Sequence, residues 1–178
     1  MGVKGGPTFN SFIIEKGSNK YSRVGFQLGL LAQIEVTDCI YLQPELLFIT
    51  KGTEAKIDNR ITTNTYEIFL NYLSVPISFC YTLKPLHIRG GAYFSYLVGS
   101  QAERYNEITN AFQNISRDNL STTDIGYTFG IGYQYKNIII SGGYSQGLTK
   151  IITAEASQER LGATHNKTWD VSIAFLLI

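Results

Sequence analysis

Residues 124–135 read Asp124-Ile125-Gly126-Tyr127-Thr128-Phe129-Gly130-Ile131-Gly132-Tyr133-Gln134-Tyr135. Ile125, Tyr127, Phe129, Ile131, Tyr133 and Tyr135 share one face of an extended chain. Asp124, Gly126, Thr128, Gly130, Gly132 and Gln134 share the other. A helix would scatter these apolar residues around its axis, so the alternation predicts a strand. Soluble strands average about 5–6 residues, whereas a tilted strand that crosses a bilayer needs about 9–11. The length of this segment therefore points to a membrane-crossing strand.

The same period runs through the chain. Residues 24–36 set Val24, Phe26, Leu28, Leu30, Ala32, Ile34 and Val36 against Gly25, Gln27, Gly29, Leu31, Gln33 and Glu35. Further alternating segments fall at 40–51, 68–82, 87–100, 138–149 and 168–178, and a weaker, Gly-rich one at 2–12. Short connections are expected near Thr37-Asp38, Lys84-Pro85 and Lys136-Asn137. Long ones are expected near 13–22, 53–66, 101–122 and 152–167, where charges and Asn, Thr and Ser collect. Alternating short turns and long loops are what eight antiparallel up-and-down strands in an outer membrane require. The expected fold is all-β, an eight-stranded antiparallel up-and-down transmembrane β-barrel, forming a single domain over residues 1–178.

Composition agrees with this reading and excludes others. The chain has 178 residues, is 44% hydrophobic and only 16% charged, against about 25% charged in average soluble domains. Its formal net charge of +1 lacks the basic footprint of a nucleic-acid binder. Apolar content is too high for disorder, and two cysteines are too few for a disulfide framework. No apolar stretch is long enough for a spanning helix. The less apolar face is rich in Gly, Ser, Thr and Gln, as suits the crowded interior of a narrow barrel. Tyr81, Tyr96, Tyr133, Tyr135 and Trp169 suit aromatic girdles. Residues 1–6 carry no export signal, so one is expected to have been removed from this chain.

The chain resembles the PorT-like outer-membrane β-barrel family of Bacteroidetes-type bacteria. The residues that carry the resemblance are Gly2-Val3-Lys4-Gly5-Gly6, then Gln43-Pro44-Glu45-Leu46-Leu47-Phe48 with Lys51-Gly52. They continue with Asn71-Tyr72-Leu73, Pro76, and Gly90-Gly91-Ala92-Tyr93. Asp124, Gly126, Gly130 and Gly132 follow, and then Tyr144 with Gly147-Leu148. The resemblance implies an outer-membrane barrel and an association with secretion or envelope assembly. Ser74 departs from it, because such proteins often carry Glu there, so no interior ion pair is expected through that position.

Alternation assigns Lys4, Glu35, Glu45, Lys51, Arg89, Asp124 and Asp170 to the interior. Buried charges must be paired or hydrated, and an eight-stranded barrel is only wide enough for side chains to fill. Lys4, Glu45, Arg89 and Asp124 are therefore expected to form a structural polar network. Cys39 and Cys80 flank a long loop almost symmetrically and would lie roughly opposite each other near the short-turn end. The expectation is either a disulfide or two small residues filling space. His87, with Ser78 as a neighbour, and His165, with Thr164, Asp124 and Glu159, are the positions a hydrolytic triad would use. Neither has a recognisable catalytic motif, and no metal-ligand spacing or cofactor motif occurs.

These features predict a small, non-catalytic outer-membrane protein, monomeric and in contact with outer-membrane lipid. It would be structural, or would bind a protein partner through extracellular loops or periplasmic turns. An outer-membrane lipid hydrolase and a soluble lipocalin-like barrel are the alternatives.

Overall fold

The structure, a computed structural model, describes residues 1–14, 23–59, 62–106, 121–149 and 164–177. Nine strands run in sequence: β1 (Gly2–Ile14), β2 (Arg23–Leu31), β3 (Ile34–Thr37), β4 (Ile40–Asn59), β5 (Thr62–Leu83), β6 (Leu86–Asn106), β7 (Thr123–Tyr135), β8 (Ile138–Gly147) and β9 (Thr164–Leu176). All pair antiparallel in the order β2-β1-β9-β8-β7-β6-β5-β4-β3, and a β2–β4 pairing closes the sheet on itself. β2 and β3 are two parts of one barrel strand, so the wall has eight strands, as the alternation predicted.

The break between β2 and β3 has a local cause. Ala32 donates its N–H to Pro44 O at 3.0 Å, but Pro44 has no N–H to return. Pro7 and Pro76 act alike. The β1–β9 ladder passes from Gly5↔Ile173 to Thr8↔Asp170, skipping Pro7. The β4–β5 ladder passes from Pro44↔Ile77 to Leu47↔Ser74, skipping the position opposite Pro76.

Two expectations about extent and one about facing are corrected. The segment 53–66 is not a loop along its length, because β4 and β5 stay paired up to Asn59↔Thr62. β6 likewise continues to Asn106. At about 3.3 Å per residue, the 22 residues of β5 run about 70 Å along the chain. A tilt of about 40° leaves about 55 Å along the membrane normal, well beyond the roughly 25 Å apolar band. The third correction is Glu35. It lies in β3, is exposed, and so does not belong to the interior.

The two faces are inverted relative to a soluble barrel. Outward residues are apolar and exposed, including Leu28 61%, Phe79 63%, Ile131 58% and Ile173 58%. Inward residues are mostly polar and buried, including Lys4, Thr8, Gln27, Glu45, Ser78, Arg89 and Asp170. Such a continuous apolar coat far exceeds the patches that soluble monomers expose; its place is in lipid. A smaller group of inward apolar residues, Leu31 with Ile139 and Ala174, seals the lumen toward the short turns.

Candidate functional site

The lumen holds the charged chemistry of the chain, arranged in two tiers. The lower tier centres on Glu45 of β4. Lys4 Nζ from β1 donates to Glu45 Oε2 at 2.8 Å, and Arg89 Nη1 from β6 lies 3.1 Å from Glu45 Oε1. Gln43 Nε2 adds a 2.6 Å bond to the same Oε1. Arg89 Nη2 reaches on to Asp170 Oδ2 of β9 at 3.5 Å. Gln27 Nε2 of β2 completes that carboxylate at 2.9 Å. One network therefore ties five strands together across the lumen, and most of the linked strands are not wall neighbours.

The upper tier centres on Asp124 of β7. Its Oδ2 accepts from Lys51 Nζ at 3.0 Å, Tyr93 OH at 3.2 Å and Asn166 Nδ2 at 2.7 Å. The Lys51 ammonium also lies 5.1 and 4.9 Å from the ring centres of Tyr72 and Tyr93, within cation–π range. Among the described residues, the buried charges are Lys4, Lys51 and Arg89 against Glu45, Asp124 and Asp170. The lining is thus neutral in sum, and each charge has an opposite partner.

Glycine makes room for Arg89. A Cβ on Gly130 would collide with its Nε, and a Cβ on Gly143 would collide with its Nη2 and with Asp170 Oδ1. The Gly face of β7 and β8 is therefore a slot for the guanidinium. The void that remains between the tiers, bordered by Lys4, Glu45, Lys51, Arg89 and Asp170, is about 30 Å³. That is room for a water or two, not for a solute.

Of the four residues singled out from sequence, the structure brings Lys4, Glu45 and Arg89 into one tier. It places Asp124 in the other, bonded to Lys51. Asp170, Gln27, Gln43, Tyr93 and Asn166 are further members. Alternation already put most of them inside, but it carries no information on which residues meet across the lumen. Ser74, where the resemblance would expect Glu, accepts a 2.7 Å bond from Ser95 Oγ and takes no part in an ion pair.

Cys39 and Cys80 do not lie directly opposite each other. Cys80 pairs with Tyr41 in the β4–β5 ladder, and Thr82 N donates to Cys39 O at 2.8 Å. The two cysteines are offset by two residues, and both thiols are free. Cys80 Sγ instead donates to Gln43 Oε1 at 3.5 Å. His87 Nδ1 lies 3.2 Å from Thr82 Oγ1, its direct partner in the ladder, rather than against Ser78. Asp124 is committed to the upper tier and Glu159 lies outside the described residues, so no triad forms around His165 among the described residues. The loop residues Tyr66, Tyr105, Phe112, Leu120 and Leu161 also fall outside the described side chains.

A closed eight-stranded wall, apolar outside and filled with paired charges inside, defines a small membrane-spanning β-barrel. The outer membrane protein beta-barrel domain matches residues 1–153, and the chain belongs to that family. Its location is the bacterial outer membrane. The fold is similar to that of Ail, the attachment invasion locus protein of Yersinia pestis, solved with the heparin analogue sucrose octasulfate. That match has 14% identity and a TM-score of 0.56, and covers 98% of this chain and 96% of that one. Neisserial surface protein A is similar at 13% identity and a TM-score of 0.55, with 99% and 96% covered. At such identities the likeness concerns the fold alone. Among curated proteins, none matches the chain by sequence.

Proposed function

We propose that this protein is a non-catalytic, non-conducting, monomeric barrel that holds partner-binding segments at the cell surface. The observation that carries this reading is the filled lumen. Two charge-balanced tiers leave about 30 Å³ between them, and the only activity such an interior supports is holding the wall in shape. The projecting β4–β5 hairpin and β6 then serve as the surface that meets a partner, since binding commonly sits on segments raised from a rigid scaffold. The order of the Gly-Gly, Gln-Pro-Glu and Asn-Tyr-Leu motifs supports placing it with PorT-like barrels. On that reading its partner is a protein of secretion or envelope assembly.

Reconstitution of the purified protein into planar lipid bilayers tests the central point. No unitary current is expected at 100 mV. Stable single-channel steps would overturn the reading. Phospholipid deacylation that disappears in His87→Ala or His165→Ala would overturn its non-catalytic part.

A further inference from the structure

The outer face of β7, β8 and β9 carries a polar row directly above an aromatic one. Trp169 of β9 lies opposite Phe9 of β1 and Tyr144 of β8, and Tyr144 lies opposite Phe129 of β7. Two residues further from the short turns, Lys167 lies opposite Gln146, and Gln146 opposite Tyr127. Alternation turns all three outward, because Asn166 and Thr168 beside Lys167, Gly147 beside Gln146, and Gly126 and Thr128 beside Tyr127 are buried. On β9 the outward series therefore runs Phe175, Ile173, Val171, Trp169, Lys167, His165. Apolar residues give way to a tryptophan and then to basic side chains. Such a sequence of residue types marks the boundary between acyl chains and headgroups.

The polar row is held in one arrangement. Tyr127 and Tyr144 both donate their hydroxyls to Gln146 Oε1, at 3.0 and 2.6 Å. The Tyr127 ring centre lies 5.6 Å from that of Phe129, and the Tyr144 ring centre 4.8 Å from that of Trp169. The Gln146 carbonyl is thus saturated, while its Nε2 hydrogens have no acceptor among the described residues. Lys167 is half-buried, and its ammonium lies 5.6 Å from the Tyr144 ring centre, within cation–π range. A lysine at a membrane surface ordinarily extends toward water; this one is held against the wall. The ion pairs among the described residues all lie in the lumen tiers, and none includes Lys167.

A cation against the lipid face calls for an opposite charge, and the amide beside it offers only donors. On the β7 side the row is bounded by Ile125 and Leu148, which are exposed and apolar. The result is a confined spot of donors at the top of the aromatic row, and the anion at that height is lipid phosphate. We propose that the β8–β9 polar row binds the phosphate of an outer-leaflet lipid. The Lys167 ammonium and the Gln146 amide contact the phosphate, the two tyrosines position the amide, and an acyl chain lies along Trp169 and Val171. Lys136 provides a contrast at the short-turn rim. Its ammonium lies 5.5 Å from the Tyr135 ring centre, but the neighbouring Gln134 turns its Nε2 to Lys136 O at 3.4 Å. The cation–ring pair is the same there, without the tyrosine-held amide. The site on β8 and β9 is independent of the projecting segments invoked above, so either reading stands if the other fails.

The test is native mass spectrometry of the full chain released from octyl tetraoxyethylene micelles titrated with palmitoyl-oleoyl phosphatidylglycerol. A one-to-one adduct is expected, reduced about tenfold in Lys167→Gln, as the loss of one hydrogen bond between charged groups requires. It should be largely kept in Lys167→Arg and unchanged in Lys136→Gln. Gln146→Leu keeps the cation, removes the amide donor and leaves the tiers untouched; it is expected to weaken the adduct as well, and it carries the test should Lys167→Gln not fold. Diacylglycerol with the same chains should not bind, and millimolar inorganic phosphate should not displace the lipid. An adduct equal in the wild type, Lys167→Gln and Gln146→Leu would overturn the proposal. So would an equal loss in Lys136→Gln, which would mark interfacial lysines in general. Equal binding of diacylglycerol would overturn it too, as would full displacement by inorganic phosphate, which would mark a free-anion site.

Discussion

Glu45 is the residue on which the lower tier turns. It is 3% exposed and takes charge from Lys4 and Arg89 together. Arg89 keeps Asp170 if Glu45 is lost, whereas Lys4 has no other carboxylate bonded to it among the described residues. Glu45→Ala should therefore cost about 3–5 kcal/mol, the usual penalty for stranding a buried charge. The expected readout is a lower midpoint in urea unfolding from micelles, with a lower temperature for the shift in gel mobility. The double variant Lys4→Met, Glu45→Met leaves Arg89–Asp170 and Lys51–Asp124 intact and charge balanced. It should recover most of the loss, because a buried pair replaced by packed apolar residues is often neutral. A double variant as unstable as Glu45→Ala would show that the pair itself, not the stranded cation, is what matters. That Glu45 faces inward was legible from its place between the outward Pro44 and Leu46. That Lys4 and Arg89 both reach it was not, because strand tilt and stagger decide which heights coincide across the lumen.

At the scale of the strand, β7 was the most legible element. Every outward residue assigned from 124–135 lies on the lipid side, and Asp124, Gly126, Thr128 and Gly132 are buried. Alternation is reliable here because no proline or bulge interrupts it. Elsewhere such interruptions limit what the pattern shows. Between Asn71 and Tyr72 the β5–β6 register shifts by one residue, and the strand predicted over 24–36 divides opposite Pro44. Glu35 was misassigned for this reason. Beyond the break, β3 pairs only with β4, all four of its residues are exposed, and no lumen remains for an odd-numbered residue to face. The depth of β7 gives a graded prediction. Ile131 lies about four residues above the short turn, near the middle of the apolar band, and Tyr135 lies at its rim. Ile131→Arg should destabilise by about 2–4 kcal/mol in phospholipid, and Tyr135→Arg by at most about 1 kcal/mol. Equal costs in reversible unfolding from vesicles would mean that β7 does not cross the bilayer in this orientation.

At the scale of the whole molecule, the barrel divides into a membrane part with a filled lumen and a part that projects from it. The sequence pattern marked 53–66 as a connection because charges and polar residues replace the apolar repeat there. In the structure residues 53–59 and 62–66 remain strand, since backbone pairing from Gly52↔Phe69 to Asn59↔Thr62 continues. Alternation reports which surface is in lipid, not where a hairpin ends, so the projecting length could not be read from it. The division has a consequence for folding. Both charge tiers, the glycine slot around Arg89 and the apolar seal lie in the membrane part, at or below Lys51. Joining Gly52 to Phe69 through an Asn-Gly turn removes the projecting hairpin and leaves all of these contacts in place. Such a turn suits the right-handed twist of the flanking strands, and the shorter connection lowers the entropy of closure. The shortened protein should fold with unchanged heat-modifiable mobility and an unchanged unfolding midpoint, while any partner captured through the hairpin is lost. A chain that no longer folds after this replacement would show that the projecting strands, and not the filled lumen, hold the barrel together.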